Sequence, residues 1–497
     1  MGQVFFRIKP FSATGLARAY GMVAGTLLPG LAFAGPGGGQ VIAGQAGITT
    51  PDAHTTVIRQ QSQNAVINWQ QFSVGSNEFV LFNQPSASAA VLNRVVGGLP
   101  SEILGNLSAN GRVFLVNPQG VLFGEGARVD VGGLVASTLD IRKQDFMNGR
   151  YRFVQGTASP AEVANEGRIK TGPGGFVVLA ADRVENSGLI QANGGDVLLA
   201  SGSRMTLTMD ADGLVGYSID AAALSGQAGI DNVGDIVANG GTVVLDASVA
   251  QGLIGNVINN RGRITARSVE ERDGAIYLLA EGGDIENSGS LDASGIAAAD
   301  GGRVVLRTDQ NLSLTDSGVI RADGGRSGDG GMIRLIAEGD AHTAAGSLIS
   351  AHAGARGERG GAVELSGHAS LSVRGAVDVG RGGRLLIDPS VVNIADGAGA
   401  SSSTGGVATV FEQFIEGQLQ SGADVAIVAD DRITLESLVD GTLDGRNAGL
   451  GGSLTVGIGI VSGSGSTANG VFVDGPPPIG FSFFPGPGGS SAGGIFF

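Results

Sequence analysis

The chain has 497 residues and a formal net charge of −15, from 31 Lys and Arg against 46 Asp and Glu. So acidic a balance lacks the basic footprint that phosphate binding needs, and nucleic acid is not an expected partner. There is no cysteine, and the four histidines (His54, His342, His352, His368) are scattered without ligand spacing; disulfides are excluded, and neither a metal nor a cofactor is expected.

The first 34 residues carry Arg7, Lys9 and Arg18 with no Asp or Glu, then a small and apolar run over 20–33. That run ends in Ala32-Phe33-Ala34, with Gly35 next. A basic start, a short apolar run and an A-x-A site predict a secretory signal peptide cleaved between Ala34 and Gly35. Gly25, Pro29 and Gly30 interrupt the run, which is also too short to span a bilayer comfortably. Removing it takes away three basic residues and moves the charge to −18. No later stretch has ~18 uninterrupted apolar residues, so no stable membrane span is expected in the mature chain.

Residues 56–141 carry a series of short motifs. In order they are Asn68-Trp69-Gln70-Gln71-Phe72, Asn83-Gln84-Pro85-Ser86, Leu92-Asn93-Arg94-Val95, and Asn110 to Val121, closing on Gly132 to Thr138. Within them, Asn117-Pro118-Gln119-Gly120 reads as a type I or II β-turn between apolar strands 113–116 and 121–123. The ordered series closely resembles the amino-terminal secretion domain, or haemagglutination activity domain, of the filamentous haemagglutinin family. Asn117, Pro118, Gln119, Gly120 and Val121 match that family's N-P-N-G-I motif, with Gln for the second Asn and Val for Ile. Its companion N-P-N-L motif is not present; Asn83 to Ser86 stands in roughly that region, which places the chain nearer the high-molecular-weight adhesin branch. The resemblance covers about 35–250, including Met209 to Val215. It implies a two-partner secretion passenger of a Gram-negative bacterium. Such a chain is recognised by periplasmic domains of a dedicated outer-membrane transporter, threaded outward and folded at the surface. For Asn117 to Val121 it leaves two roles open: fixing an early turn, and direct contact with the transporter.

From residue 165 the chain repeats. Asn165-Glu-Gly167-Arg-Ile169 recurs as Asn186 to Ile190, Asn232 to Ile236, Asn260 to Ile264, Asn287 to Leu291 and Asp316 to Ile320, then weakens at Gly346 and Gly375. The anchor glycines are spaced 21, 46, 28, 27, 29, 28 and 29 residues apart. Each unit goes on to a turn, usually Gly-Gly, and then to apolar residues at alternate positions, as in Gly241-Thr-Val243-Val-Leu245. Glycine makes up 88 residues, about 18% against roughly 7% ordinarily. Two or three short strands cannot bury their apolar side alone, so the units must stack. The expected fold is all-β: a right-handed parallel β-helix, with extra-helical hairpins in the secretion domain. Asn side chains are expected to ladder along the stack, Ala192, Ala238, Ala266, Ala293 and Ala322 to sit at a tight interior corner, and glycines to turn corners where φ is positive.

The expected domains are a signal peptide at 1–34, a secretion domain at 35–250, and β-helix repeats at 251–390. A less regular segment at 391–474 and a Gly/Pro/Phe-rich tail at 475–497 complete the chain. Within the less regular segment, 409–419 is expected to form a helix and 425–427 and 454–456 strands. Segments 383–389 and 415–425 look like linkers of large adhesins in the family. Asp196, Asp235, Asp284 and Asp300 fall on different repeat positions, so no enzyme is expected. The resemblance makes a surface adhesin the first reading, with a host-cell or glycan receptor as partner. A haem-acquisition exoprotein is the alternative, ahead of a polysaccharide-active β-helix enzyme. The expected chain leaves no room for an appended toxin domain.

Overall fold

The computed structural model describes residues 35–156, 160–211, 213–253, 255–269, 272–436 and 452–458, with the backbone of short strands at 472–473, 482–485 and 493–496. The expected signal segment and most of the Phe-rich tail lie outside the described residues.

One turn of the fold shows how the repeat works. Gly229–Asn232, Asp235–Val237 and Thr242–Ser248 are three strands separated by tight corners. Alternation points Ile230, Ile236, Val243 and Leu245 inward, all essentially inaccessible. One repeat later, Ile258, Ile264, Ile276 and Leu278 lie directly above them in parallel register. Stacking therefore builds continuous apolar columns, and each buried Ile or Leu contributes roughly 1.5–3 kcal/mol relative to exposure. The parallel β-helix is borne out, with three faces. One face is a ten-stranded sheet that starts at Ser101–Ile103 and ends at Ser370–Val373. The other two belong to one sheet, because Arg128–Ser137 and Arg168–Ala181 run around the corner between them.

The asparagine ladder is present. Asn165 Nδ2 donates to Asn186 Oδ1 at 2.8 Å, Asn186 to Asn232 at 2.7 Å, Asn232 to Asn260 at 2.7 Å, and Asn260 to Asn287 at 2.6 Å. All five side chains are buried. The ladder stops where Phe123 lies below Asn165 and Leu314 above Asn287, leaving Asn165 Oδ1 without a partner. The five corner alanines are likewise fully buried.

The anchor glycines need a correction. Gly167, Gly188, Gly234, Gly262 and Gly289 do not have positive φ. A Cβ on each of the last four would overlap the carbonyl oxygen of the anchor glycine one rung below. Close backbone approach, not handedness, requires glycine at this corner. Positive φ falls instead on the first glycine of the next corner, at Gly194 and Gly240, both at +69°.

Two additions finish the stack. At the start, Gln40–Ala43 and Ala46–Asp52 pair antiparallel with Asn64–Trp69 and Thr55–Gln60, closing the parallel edge. Near the end, the expected helix forms at Glu412–Gln420, three residues later than anticipated. Thr409 to Phe411 remain in the strand Val407–Phe411, held by pairing with Val391–Ala395 and by inward Ala408 and Val410. The helix buries Ile415 and Leu419, and Gln418 Nε2 donates to Val377 O at 3.0 Å, ending the short-strand column. The strands Asp424–Ala429 and Leu454–Ile458 form where expected. No described helix is long and apolar enough to cross a membrane.

Candidate functional site

The motif Asn117 to Val121 forms the corner between Arg112–Val116 and Val121–Phe123. Gly120 N donates to Asn117 O at 3.1 Å, closing a β-turn. Gln119 keeps negative φ, which excludes the type II alternative; Gly120 carries the positive φ of +119°. Asn117 has no exposed surface. Its Nδ2 donates to Leu99 O and to Ser101 Oγ, both at 3.0 Å, and its Oδ1 accepts Gln119 N at 3.0 Å. Its backbone N donates to Ser137 O at 2.9 Å. One side chain thus ties its own corner to the rung below, while its backbone reaches the rung above. Only Pro118, half-buried, and Gln119, exposed, face outward, whereas Val121 is buried.

The other motifs supply comparable pins in the first rungs. Gln84 Nε2 lies within donating distance of Gln60 Oε1 at 3.0 Å, Ala89 O at 3.0 Å and Arg112 O at 3.3 Å. Trp69 Nε1 donates to Asn93 Oδ1 at 3.0 Å, and Asn93 Nδ2 to Phe114 O at 3.3 Å. Each of these polar groups is buried, so losing a partner would cost more than the bond itself contributes.

The extra-helical hairpin expected in the secretion domain is present as part of an outer cover over these rungs. An antiparallel sheet of Asp140–Ile141, Tyr151–Val154, Arg204–Met209 and Leu214–Ala221, with the short helix Lys143–Met147, lies outside the β-helix. Between cover and helix is a second core that includes Leu92, Phe114, Phe146, Phe153, Phe176 and Leu198. Phe114 stacks on Tyr151 at 5.3 Å and meets Phe146 edge-on at 5.1 Å. Arg112 latches the cover: Nη1 donates to Asp210 O and Nη2 to Ala211 O, both at 2.7 Å, with the guanidinium 5.8 Å from the Phe176 ring. The far strand is tied by Tyr217 Oη, which donates to Asp246 Oδ2 at 2.7 Å. Burial raises both pKa values, keeping the Tyr217 phenol a donor to the Asp246 carboxyl group. The signal for this cover was available in part: 132–137, 176–181 and 197–201 are apolar without alternation, which marks strands buried on both faces.

The candidate carboxylates are placed apart. Asp235 pairs with Arg263 at 2.7 Å, while Asp196, Asp284 and Asp300 accept backbone N–H groups of Thr242, Asn311 and Asp329 one rung on. Ser350 Oγ, 2.9 Å from His352 Nδ1, donates to Asp323 Oδ1 at 2.5 Å, and the same Nδ1 lies 3.0 Å from that Asp323 oxygen. Serine and acid therefore share one ring nitrogen, whereas a proton relay places the imidazole between them. Among the described residues no cluster of three His, Asp or Glu is arranged to hold a metal ion.

The model of the TPS secretion domain family matches residues 33–293, just over half of the chain. Two relatives from Haemophilus influenzae, each named heme/hemopexin-binding protein, are 33% identical over 262 residues and 30% identical over 264 residues. Those stretches are 52% and 49% of this chain but only 28% of either relative's length. Among solved structures, the HMW1 secretion domain from Haemophilus influenzae superposes with a TM-score of 0.62 at 28% identity. The match covers 71% of this chain and 95% of that domain.

Proposed function

The chain belongs to the TPS secretion domain family, and from that premise we propose that it is a two-partner exoprotein acting at the cell surface as an adhesin. Residues 35–250 are the part that its outer-membrane transporter handles and the part that starts the β-helix. The observation that carries this reading is the burial of Asn117, with every polar group of its side chain paired across two rungs. The motif therefore acts chiefly as a folding pin, and Pro118 and Gln119 are what it presents to a transporter. Export with a co-expressed transporter tests this: loss of secretion on Asn117→Ala, with secretion kept on Gln119→Ala, is the expected pattern. The reverse pattern would assign the motif to transporter contact.

A second reading is favoured by one finding, the names of the two relatives. On it the exported protein takes part in haem acquisition by binding haem or hemopexin. Immobilised hemopexin retaining the purified protein, with no binding to epithelial cells, would support this reading over adhesion.

A further inference from the structure

Gly35, the residue expected to become the mature N-terminus, leads directly into paired backbone. Gly37 and Gln71 exchange backbone hydrogen bonds, with Gly37 N donating to Gln71 O at 2.9 Å. Gly35 itself lines an open cleft of about 190 Å³ with Asp52, His54, Thr56 and Glu78. A carbon placed on its Cα would lie 3.4 Å from Thr56 Oγ1 and 3.8 Å from Glu78 Oε2. The α-nitrogen is bonded to that same Cα, so one tetrahedral step of rotation about the Cα–C bond, open once the upstream chain is gone, puts it where that carbon would lie, beside both oxygens. Glu78 is only 5% exposed, and its Oε2 accepts one backbone N–H, from Gly75 at 2.7 Å. No described Lys, Arg or His forms an ion pair with it. A carboxylate withdrawn from water without a cation is unfavourable, and a partner of opposite charge relieves it.

We propose that this cleft is a binding site for the protein's own new α-ammonium group, with Glu78 as its counter-ion and Thr56 as a second acceptor, so that signal cleavage completes the N-terminal cap. The proposal rests on cleavage between Ala34 and Gly35. Hydrolysis of that amide consumes one water and leaves a carboxylate on Ala34 and an ammonium on Gly35. One neutral N–H donor thereby becomes three donors carrying a positive charge. Gly35 also holds φ at +95° in the uncleaved chain. Cleavage abolishes that torsion and, with the upstream chain gone, leaves rotation about the Cα–C bond to carry the nitrogen toward Glu78.

The mature chain is well suited to the test, because Lys143 and Lys170 are its only lysines and both are exposed. The secreted protein is treated with a trace of amine-acylating ester at neutral pH, and the N-terminal peptide is compared with the two lysine peptides by mass spectrometry. Wild type is expected to label at Gly35 about tenfold more slowly than Glu78→Gln, the factor that one pKa unit represents. A second variant carries one extra Gly before Gly35, which moves the ammonium by up to ~3.6 Å while Glu78 stays intact. It too should label fast, and it decides the question if Glu78→Gln does not fold. Equal labelling of wild type and the extended variant overturns the capture site. A mature terminus other than Gly35 overturns the cleavage reading, and the site with it.

Discussion

Asn117 and Asn232 look alike in sequence, each an asparagine before a glycine-containing corner, yet their surroundings make different demands. Asn117→Ala removes the partner of Leu99 O, Ser101 Oγ and Gln119 N, of which the Ser101 bond is fully buried. Unfolding free energy should fall by about 1–3 kcal/mol, read from urea titration. Pro118→Ala, on the half-buried side of the same turn, should stay within ~0.5 kcal/mol; equal losses for the two would defeat the pin. Asn232 instead both accepts from Asn186 and donates to Asn260. Asn232→Asp keeps the first bond and turns the second into an oxygen facing an oxygen. Burial and that repulsion raise the carboxyl's folded pKa, so protonation stabilises the fold and the benefit is lost as pH rises. The variant should be strongly destabilised at pH 7 and approach wild type near pH 4, when a protonated oxygen can again donate; a pH-independent deficit would contradict this. The ladder was legible because asparagine recurs in register, one per repeat. The role of Asn117 was not, since a single corner has no period to reveal which side chains it faces.

At the scale of elements, the cover and the last long strands carry the chain's least repetitive features. Arg112 holds the loop at Asp210 and Ala211 through two charge-assisted bonds, worth about 1.5–3 kcal/mol each. Arg112→Ala should therefore release the hairpin of Arg204–Met209 and Leu214–Ala221 while the parallel stack stays folded. Protease cleavage confined to 209–215, with new binding of an apolar dye by the second core, would report it; uniform digestion would not fit. Sequence reasoning placed extra structure in this stretch but could not place Arg112, whose partners are carbonyls 98 and 99 residues away. In the strand Arg384–Pro389, Asp388 faces outward beside Glu364, His368 and Asp430. Burial, then the Asp430 and Glu364 charges, push its pKa up to about 6. A raised carboxyl pKa means stability that is present below the ordinary value of 3.8 and is lost as pH climbs to about 6. Asp388→Asn should raise the melting temperature at pH 7.5 and change it little at pH 3.5. An equal gain at both would assign the effect to packing.

For the whole molecule, the architecture was readable because a parallel β-helix is nearly one-dimensional. Each rung meets mainly its neighbours, so a 28-residue period in the sequence is also the period of the contacts. What was not readable lies where this rule breaks: the antiparallel start, the outer cover and the terminal helix depend on partners outside the repeat. Such local connectivity suits export, since a cysteine-free chain can emerge without disulfides to form or reshuffle and can fold rung upon rung. A sharp consequence concerns truncation. Ending the chain after Asp292 cuts at the corner between the second and third strands of a turn and removes the strands from Arg303 onward, together with the helix Glu412–Gln420 that closes one column. If rungs are stabilised by nearest neighbours, residues 35–292 should still fold, with β-type circular dichroism and an intact cover. Their new end, however, would show the unpaired strands Ala275–Glu281, Asp284–Asn287 and Ser290–Asp292 and the apolar rows of Ile276, Leu278, Ile285 and Leu291. An exposed parallel edge over apolar side chains is a template for another copy. Light scattering should then find the 35–292 chain self-associated at concentrations where 35–436 is monomeric. A truncated chain that is unfolded would show instead that the solenoid is stabilised only as a whole.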